Sequence, residues 1–216
     1  MEGKAKCARD VWIGIREDKK TEGICEHRFR EIFPHGHRQS LRPFLIACQD
    51  RLHRGKALPP YWKSSPVLTE MHPRAYELLI RYGRNYTPMK WERPPEIEPE
   101  FGQCYGNSFG LMGGLHHAGY PRTVYVEGVV FGAISYPMLH AWNALKGRKD
   151  RVAVDFTHYP TAHLARYIGI PLTQAEYARL LANTIRKDNW TIGLLHRRHF
   201  PAIENELYRI VRARKL

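Results

Sequence analysis

The sequence predicts an α+β fold in which a cysteine-bearing helix packs on an antiparallel sheet. Three observations carry this expectation. Three runs, TVYVEGVVFG, PMLHAWNAL and RVAVDFT, lie between Thr123 and Thr157. They are rich in β-branched and aromatic residues and alternate with period two, as half-buried strands do. Immediately upstream, GQCYGNSFGLMGGLHHAG begins a small-residue helix at Cys104. Before and after this block the apolar residues return to helical spacing, giving an N-terminal helical region and C-terminal helices.

Residues 1–37 show no clear period. From Ser40 to Arg54, Leu41, Phe44, Leu45, Cys48 and Leu52 fall on one helical face, with Pro43 in the first turn and Gly55 beyond the end. KALPPYWKSSP reads as a loop. A second helix starts at Thr69 or Glu70 and runs to Tyr82, with Ala75, Leu78, Leu79 and Tyr82 inward and Gly83 as its stop. The Pro-rich TPMKWERPPEIEPEFG then reads as an irregular connector. It divides residues 1–95, expected to pack on the core, from residues 96–216, the core with its C-terminal helices. Thr173 and Glu176 have capping-box spacing for a helix to about Lys187, with Tyr177, Leu180, Leu181 and Ile185 on one face. Pro201 opens a last helix with an Ile203, Leu207, Ile210 and Val211 stripe.

Within the strand block, alternation puts Tyr125, Glu127 and Val129 on one face of the first run and Val124 and Val126 on the other. Met138, His140 and Trp142 share a face of the second. Asp155 shares a face of the third with Ala153 and Thr157. KGRKD reads as the polar hairpin turn between the last two strands, so antiparallel pairing sets His140 beside Asp155.

Charge and cysteine content bound the function. Lys and Arg number 34 against 21 Asp and Glu, a net charge of +13, which favours an anionic partner. The charge is spread rather than gathered into a tail; Tyr76, Tyr82, Tyr86 and Trp91 read as core aromatics before base-stacking ones. No apolar run approaches the ~18 residues of a membrane span. The N-terminus has no apolar signal core, so a cytoplasmic location is expected, with export by an unmarked route left open. Cys7, Cys25, Cys48 and Cys104 form no C-x-x-C pair and are too few for a disulfide scaffold, which fits free thiols in a reducing compartment. Cys25, His27, His35, His37 and Cys48 match no familiar zinc spacing, and Pro34 and Gly36 interrupt them, so neither metal nor cofactor is expected.

The chemistry lies in Cys104, His140 and Asp155. A thiol at a helix N-terminus is stabilised as thiolate by the free N–H groups and the dipole. The same N–H groups suit an oxyanion hole, with the Cys104 amide as first donor and Gln103 as a second. Gly102 permits a tight entry, and Gly106, Gly110, Gly113 and Gly114 predict a helix pressed closely on a sheet. An imidazole takes the thiol proton, and a carboxylate fixes its tautomer. Taken singly, each residue has a plainer reading: a small buried cysteine, a core histidine, a polar strand end. Glu127 fits a cleft-lining or a structurally paired carboxylate, and Asn107 a backbone contact near the site or an ordinary helix polar residue. His116 and His117 sit where cations suit the dipole and are not read as catalytic.

Cys104 at a helix start, YVEG, HAWN with His140 and VDFT with Asp155 together resemble the transglutaminase-like and papain-like cysteine peptidase superfamily, over residues 102–158. The resemblance implies a papain-like core, with Cys104 as nucleophile, His140 as base and then acid, and Asp155 as orienter. Trp142 resembles the Trp that often follows the family's His and shields the site; Tyr125 and Glu127 are expected near the substrate. The expected activity is that of a thiol-dependent hydrolase or acyltransferase acting on an amide or isopeptide bond, in a peptidoglycan peptide or a protein side chain. The alternative from another class is a basic nucleic-acid- or ribosome-binding module with a vestigial triad.

Overall fold

The computed structural model describes residues 41–42, 45–46, 48–50, 66–88, 99–100, 102–117, 122–131, 137–146, 151–157, 165–184 and 192–214. The chain divides into two units, Met1–Gln39 and Ser40–Leu216, and every described residue belongs to the second. The possible zinc ligands Cys25, His27, His35 and His37, the KGRKD turn beyond Lys146, Trp91 and Ile185 lie outside the described residues, as does most of the Pro-rich connector.

Helices and strands are mixed. In chain order they are α1 (Pro66–Glu70), α2 (Pro73–Tyr82), β1 (Arg84–Pro88), α3 (Cys104–His117), β2 (Thr123–Phe131), β3 (Met138–Lys146), β4 (Arg151–Val154), β5 (Arg166–Leu172), α4 (Gln174–Ala182) and α5 (Phe200–Ala213). Before α1, Leu45 N–H bonds the Leu41 carbonyl at 3.1 Å, and Leu41, Leu45 and Cys48 are buried as the helical spacing predicts.

The sheet is a closed barrel with strand order β1-β4-β3-β2-β5. This corrects the expected antiparallel sheet: β1 pairs in parallel with β4, while the other four neighbour pairs are antiparallel. Thr87 and Pro88, read as connector, pair with Val152 and Ala153 of β4, so β1 is a strand of the barrel. Tyr86, Val126, Val130, Trp142, Ala144, Ala153 and Tyr167, drawn from all five strands, form one buried cluster with Ala165. A barrel this narrow is filled by its own side chains. Closure needs two glycines. Gly128 faces Gly169 across β2 and β5. A Cβ at Gly128 would strike the Ile168 carbonyl, and one at Gly169 would sit 2.7 Å from the Trp142 ring.

The second expected helix is broken. Proline disfavours helical geometry in the residue before it, and His72 is extended at φ −67°, ψ 137°, so the chain stops at α1 and restarts at Pro73. His72 then caps α2 through its ring nitrogen. The freed segment pairs instead: Met71 bridges to His196, His72 N–H bonds the Leu195 carbonyl at 3.0 Å, and Arg197 N–H bonds the Glu70 carbonyl at 2.7 Å. Gly83 follows the last turn of α2 with its N–H on the Leu79 carbonyl at 2.9 Å, where a Cβ would strike that carbonyl. On α4 both arms of the Thr173–Glu176 capping box are present, and Tyr177, Leu180 and Leu181 are buried; the helix ends at Ala182, short of Lys187. On α5 the buried face is Phe200, Ile203, Leu207, Tyr208, Ile210 and Val211. No helix among the described residues is long and apolar enough to cross a membrane.

Candidate active site

Strand register places the histidine and the aspartate. Asn143 of β3 pairs with Val154, the last residue of β4. One further step brings Asp155 level with Trp142, and its diagonal neighbour on the same face is His140. The fully buried His140 ring donates from Nε2 to Asp155 Oδ2 at 2.7 Å. The same Oδ2 accepts from the Tyr167 hydroxyl at 2.9 Å, and Oδ1 accepts from the Thr157 N–H at 3.0 Å. A carboxylate so deep must have its lone pairs met, and here both oxygens are.

The cysteine arrives on α3. Gly102, at φ +79°, makes the turn into the helix in a conformation that other residues resist. Asn107 N–H bonds the Gln103 carbonyl, so Cys104 sits in the first turn with its own N–H outside the helical ladder. Three polar contacts fix α3 against the barrel. Asn143 of β3 donates to the Ser108 carbonyl at 2.9 Å, Asn107 donates to Thr157 Oγ1 at 3.3 Å, and His116 donates to the Thr123 carbonyl at 3.0 Å. Ser108 lies one helical turn past Cys104, and Asn143 lies a few strand residues past His140. The Cys104 charge acts on the His140 ring.

Asp155 occupies Nε2, and Nδ1 on the other side of the ring is buried. Burial disfavours the charged ring and is the largest single influence. The Asp155 charge, the Cys104 charge and hydrogen bonds from both outweigh it, and the imidazole is raised to about 10. Cys104 is 7% exposed, against 0% for His140 and 1% for Asp155, so all three are buried and the cysteine residue is the least enclosed. Cys48, by contrast, is fully enclosed, and burial pushes its thiol up to about 12.

The other expected site residues are placed differently. Trp142 stacks beside His140, with ring centroids 6.2 Å apart, and fills the barrel interior against Tyr86 and Tyr167; it shields the ring from within. Tyr125 and Glu127 lie on the opposite face of β2, both buried, and meet each other: the Tyr125 hydroxyl donates to Glu127 Oε2 at 3.0 Å. Glu127 Oε1 accepts from Leu195 N–H at 2.7 Å. Burial pushes the Glu127 carboxyl up to about 7, against the hydrogen bonds from Leu195, Leu194 and Tyr125. The Gln103 N–H is spent on the Glu100 carbonyl at 3.2 Å, and its side chain is half-exposed. The α3 glycines do not press on the sheet: among the described residues nothing lies within 4 Å of a Cβ at Gly106, Gly110, Gly113 or Gly114.

No family model, curated protein or solved structure matches this chain. The site therefore rests on its own geometry. Tyr167 is the residue that sequence reading missed. The signal for it was faint: a tyrosine two positions before a glycine, in a run too short and too Gly/Pro-rich to announce a strand. No group of three or more His, Cys, Asp or Glu among the described residues is arranged to hold a metal. A surface cavity of about 330 Å³ between α2 and α5, lined by Arg74, Glu77, Asn205, Tyr208, Arg209 and Arg212, contains none of the residues of the triad or its supports. Its arginines are engaged: Arg74 pairs with Glu204 at 2.7 Å, Arg209 with Glu206 at 2.7 Å, and Arg212 lies over the Tyr208 ring.

Proposed function

We propose that the protein is a thiol-dependent hydrolase or acyltransferase of amide or isopeptide bonds, with a papain-like arrangement of Cys104, His140 and Asp155. The observation that supports the reading is the buried 2.7 Å His140–Asp155 pair, on whose ring the charge of Cys104, in the first turn of α3, also acts. In this mechanism the Cys104 sulfur attacks the carbonyl carbon. The oxyanion is held by the Cys104 N–H and the Gln103 side chain, and the imidazolium delivers its proton to the leaving amine. Asp155, kept in place by Tyr167 and Thr157, holds the ring in the tautomer that presents Nδ1 to sulfur. Water or a second amine then attacks the thioester, with His140 accepting its proton, and frees the thiolate. A peptide or protein side-chain amide is the substrate class this chemistry serves, and the net charge of +13 suits an acidic protein or a wall polymer.

The reading is tested by labelling the folded protein with iodoacetamide at pH 6.5 and locating adducts by mass spectrometry. Cys104 is expected to react at least about tenfold faster than Cys48. A peptide and glutamine-amide screen is then run on wild type, Cys104→Ala and His140→Ala, with both variants expected to lose about 10³-fold or more in turnover. Equal labelling of the two thiols, or a Cys104→Ala protein with full activity, would overturn it. The competing reading, a basic nucleic-acid-binding module, rests on net charge alone. It predicts that both variants bind nucleic acid like wild type.

A further inference from the structure

A second buried polar cluster lies behind the cysteine, on the outer face of β2. Glu127 is 2% exposed and accepts from three donors: Leu195 N–H at 2.7 Å, Leu194 N–H, and the Tyr125 hydroxyl at 3.0 Å. The segment it holds passes through a narrow gap. A Cβ at Gly193 would strike both Glu127 Oε1 and the ring of Tyr105, so the Gly193 backbone is clamped between carboxyl and aromatic ring. Tyr105 is the residue after Cys104, and its buried hydroxyl feels the charges of both Cys104 and Glu127. The far side of the segment is tied to the turn between α1 and α2 through the Leu195 carbonyl and His196. A carboxyl on one strand thus anchors a loop that supports the first turn of the helix carrying the thiol.

We propose that Glu127 is a positioning residue for the Cys104 site, acting through the Gly193–Leu195 segment and Tyr105, and that its ionisation tightens that support. The inference rests on the catalytic reading of Cys104. The titratable groups around the carboxyl are Tyr125 on its own strand, Tyr105 and Cys104 from α3, Tyr177 from α4 and Glu70 from α1, the last acting on Tyr105. Each tyrosine is raised by burial, so each remains a neutral donor where Glu127 titrates. An ionised carboxylate can accept from all three of its donors at once. A protonated one keeps them only through weaker, uncharged bonds, and its own O–H must turn the Tyr125 hydroxyl from donor to acceptor. The clamp is therefore complete above the titration of Glu127 and loosened below it, near neutrality.

The test is the pH profile of iodoacetamide labelling at Cys104 from pH 5.5 to 8.5, for wild type, Glu127→Gln, Tyr125→Phe and His140→Ala, with melting temperatures alongside. In wild type the rate is expected to carry a rising limb centred near pH 7. Glu127→Gln should lose that limb and run about three- to tenfold slower at pH 8, because the side-chain amide, like the protonated acid, holds the segment through uncharged bonds only. Its melting temperature at pH 8 should not fall, since an ionised group has been removed from a buried site. A merely structural glutamate would lower both. Tyr125→Phe should move the limb to higher pH, because it removes a hydrogen bond that favours the ionised form; this variant carries the test should Glu127→Gln fail to fold. An activated wild-type thiol whose rate and limb are unchanged in these variants overturns the role of Glu127 alone. A wild-type Cys104 that labels no faster than His140→Ala overturns the catalytic reading and this inference with it.

Discussion

Tyr167 and His140 share one oxygen of Asp155, and that sharing sets how strongly the carboxylate draws on the ring. A hydroxyl donating to Oδ2 spreads the negative charge that favours the imidazolium. Tyr167→Phe keeps the aromatic packing against Trp142 and removes only that donor. The loss leaves Asp155 a stronger partner for His140, so the histidine limb of the activity or labelling profile should move to higher pH. Stability should fall by about 1–2 kcal/mol, the worth of one hydrogen bond to a buried charge. Titration of the His140 ring by NMR in both proteins measures the shift directly. A limb displaced to lower pH would show that Tyr167 serves the ring in some other way.

At the level of elements, the paired glycines of β2 and β5 decide whether the barrel closes. Gly128→Ala drives a methyl into the Ile168 carbonyl, where the clash is with backbone and cannot be relieved by a rotamer change. It is expected to cost about 3 kcal/mol or more, visible as a lower urea midpoint. Gly110→Ala, on α3, meets open space among the described residues and should gain up to about 1 kcal/mol from helix propensity. These two glycines look alike in sequence, which shows where reading stops. β2, β3 and β4 were legible because Val, Tyr and Trp alternate along them, and alternation together with the KGRKD turn set His140 beside Asp155. The capping box of α4 was legible because Thr173 and Glu176 are local. β1 and β5 were not: RNYTP is polar and RYIGIPL carries Gly169 and Pro171, and both become strands only because the barrel offers them partners. Tyr167 went unseen with its strand. The break at Met71–His72 follows from Pro73, yet which segment claims the freed backbone is a matter of tertiary contact.

For the whole molecule, two buried titrations share a sign. Both groups hold their proton more tightly in the folded chain than in the unfolded one. Glu127 is raised from 4.5 to about 7, so its contribution to stability is full below about pH 4.5 and is lost as pH rises through 7. His140 is raised from 6.5 to about 10, so its contribution is full below about pH 6.5 and is lost as pH rises through 10. Denaturant melts from pH 5 to 10 should show stability declining across both windows. Glu127→Gln should remove the lower part of the decline, and His140→Gln the upper. A wild-type profile that rises between pH 7 and 10 would contradict the arrangement of the buried pair.

β1 also determines when the site can exist during synthesis. It leaves the ribosome before α3, yet both of its partners, β4 and β5, are made after the cysteine and the histidine. Until Leu172 has emerged, β1 has no strand to lie against on its β5 side, and β2 has an open edge. Nascent chains arrested between Asp155 and Leu172 carry Cys104, His140 and Asp155 in the sequence but on an unclosed sheet. On the proposed reading of Cys104, the site is therefore complete only after the last strand has locked the barrel, and an unfinished chain carries the three residues without a closed barrel to hold them.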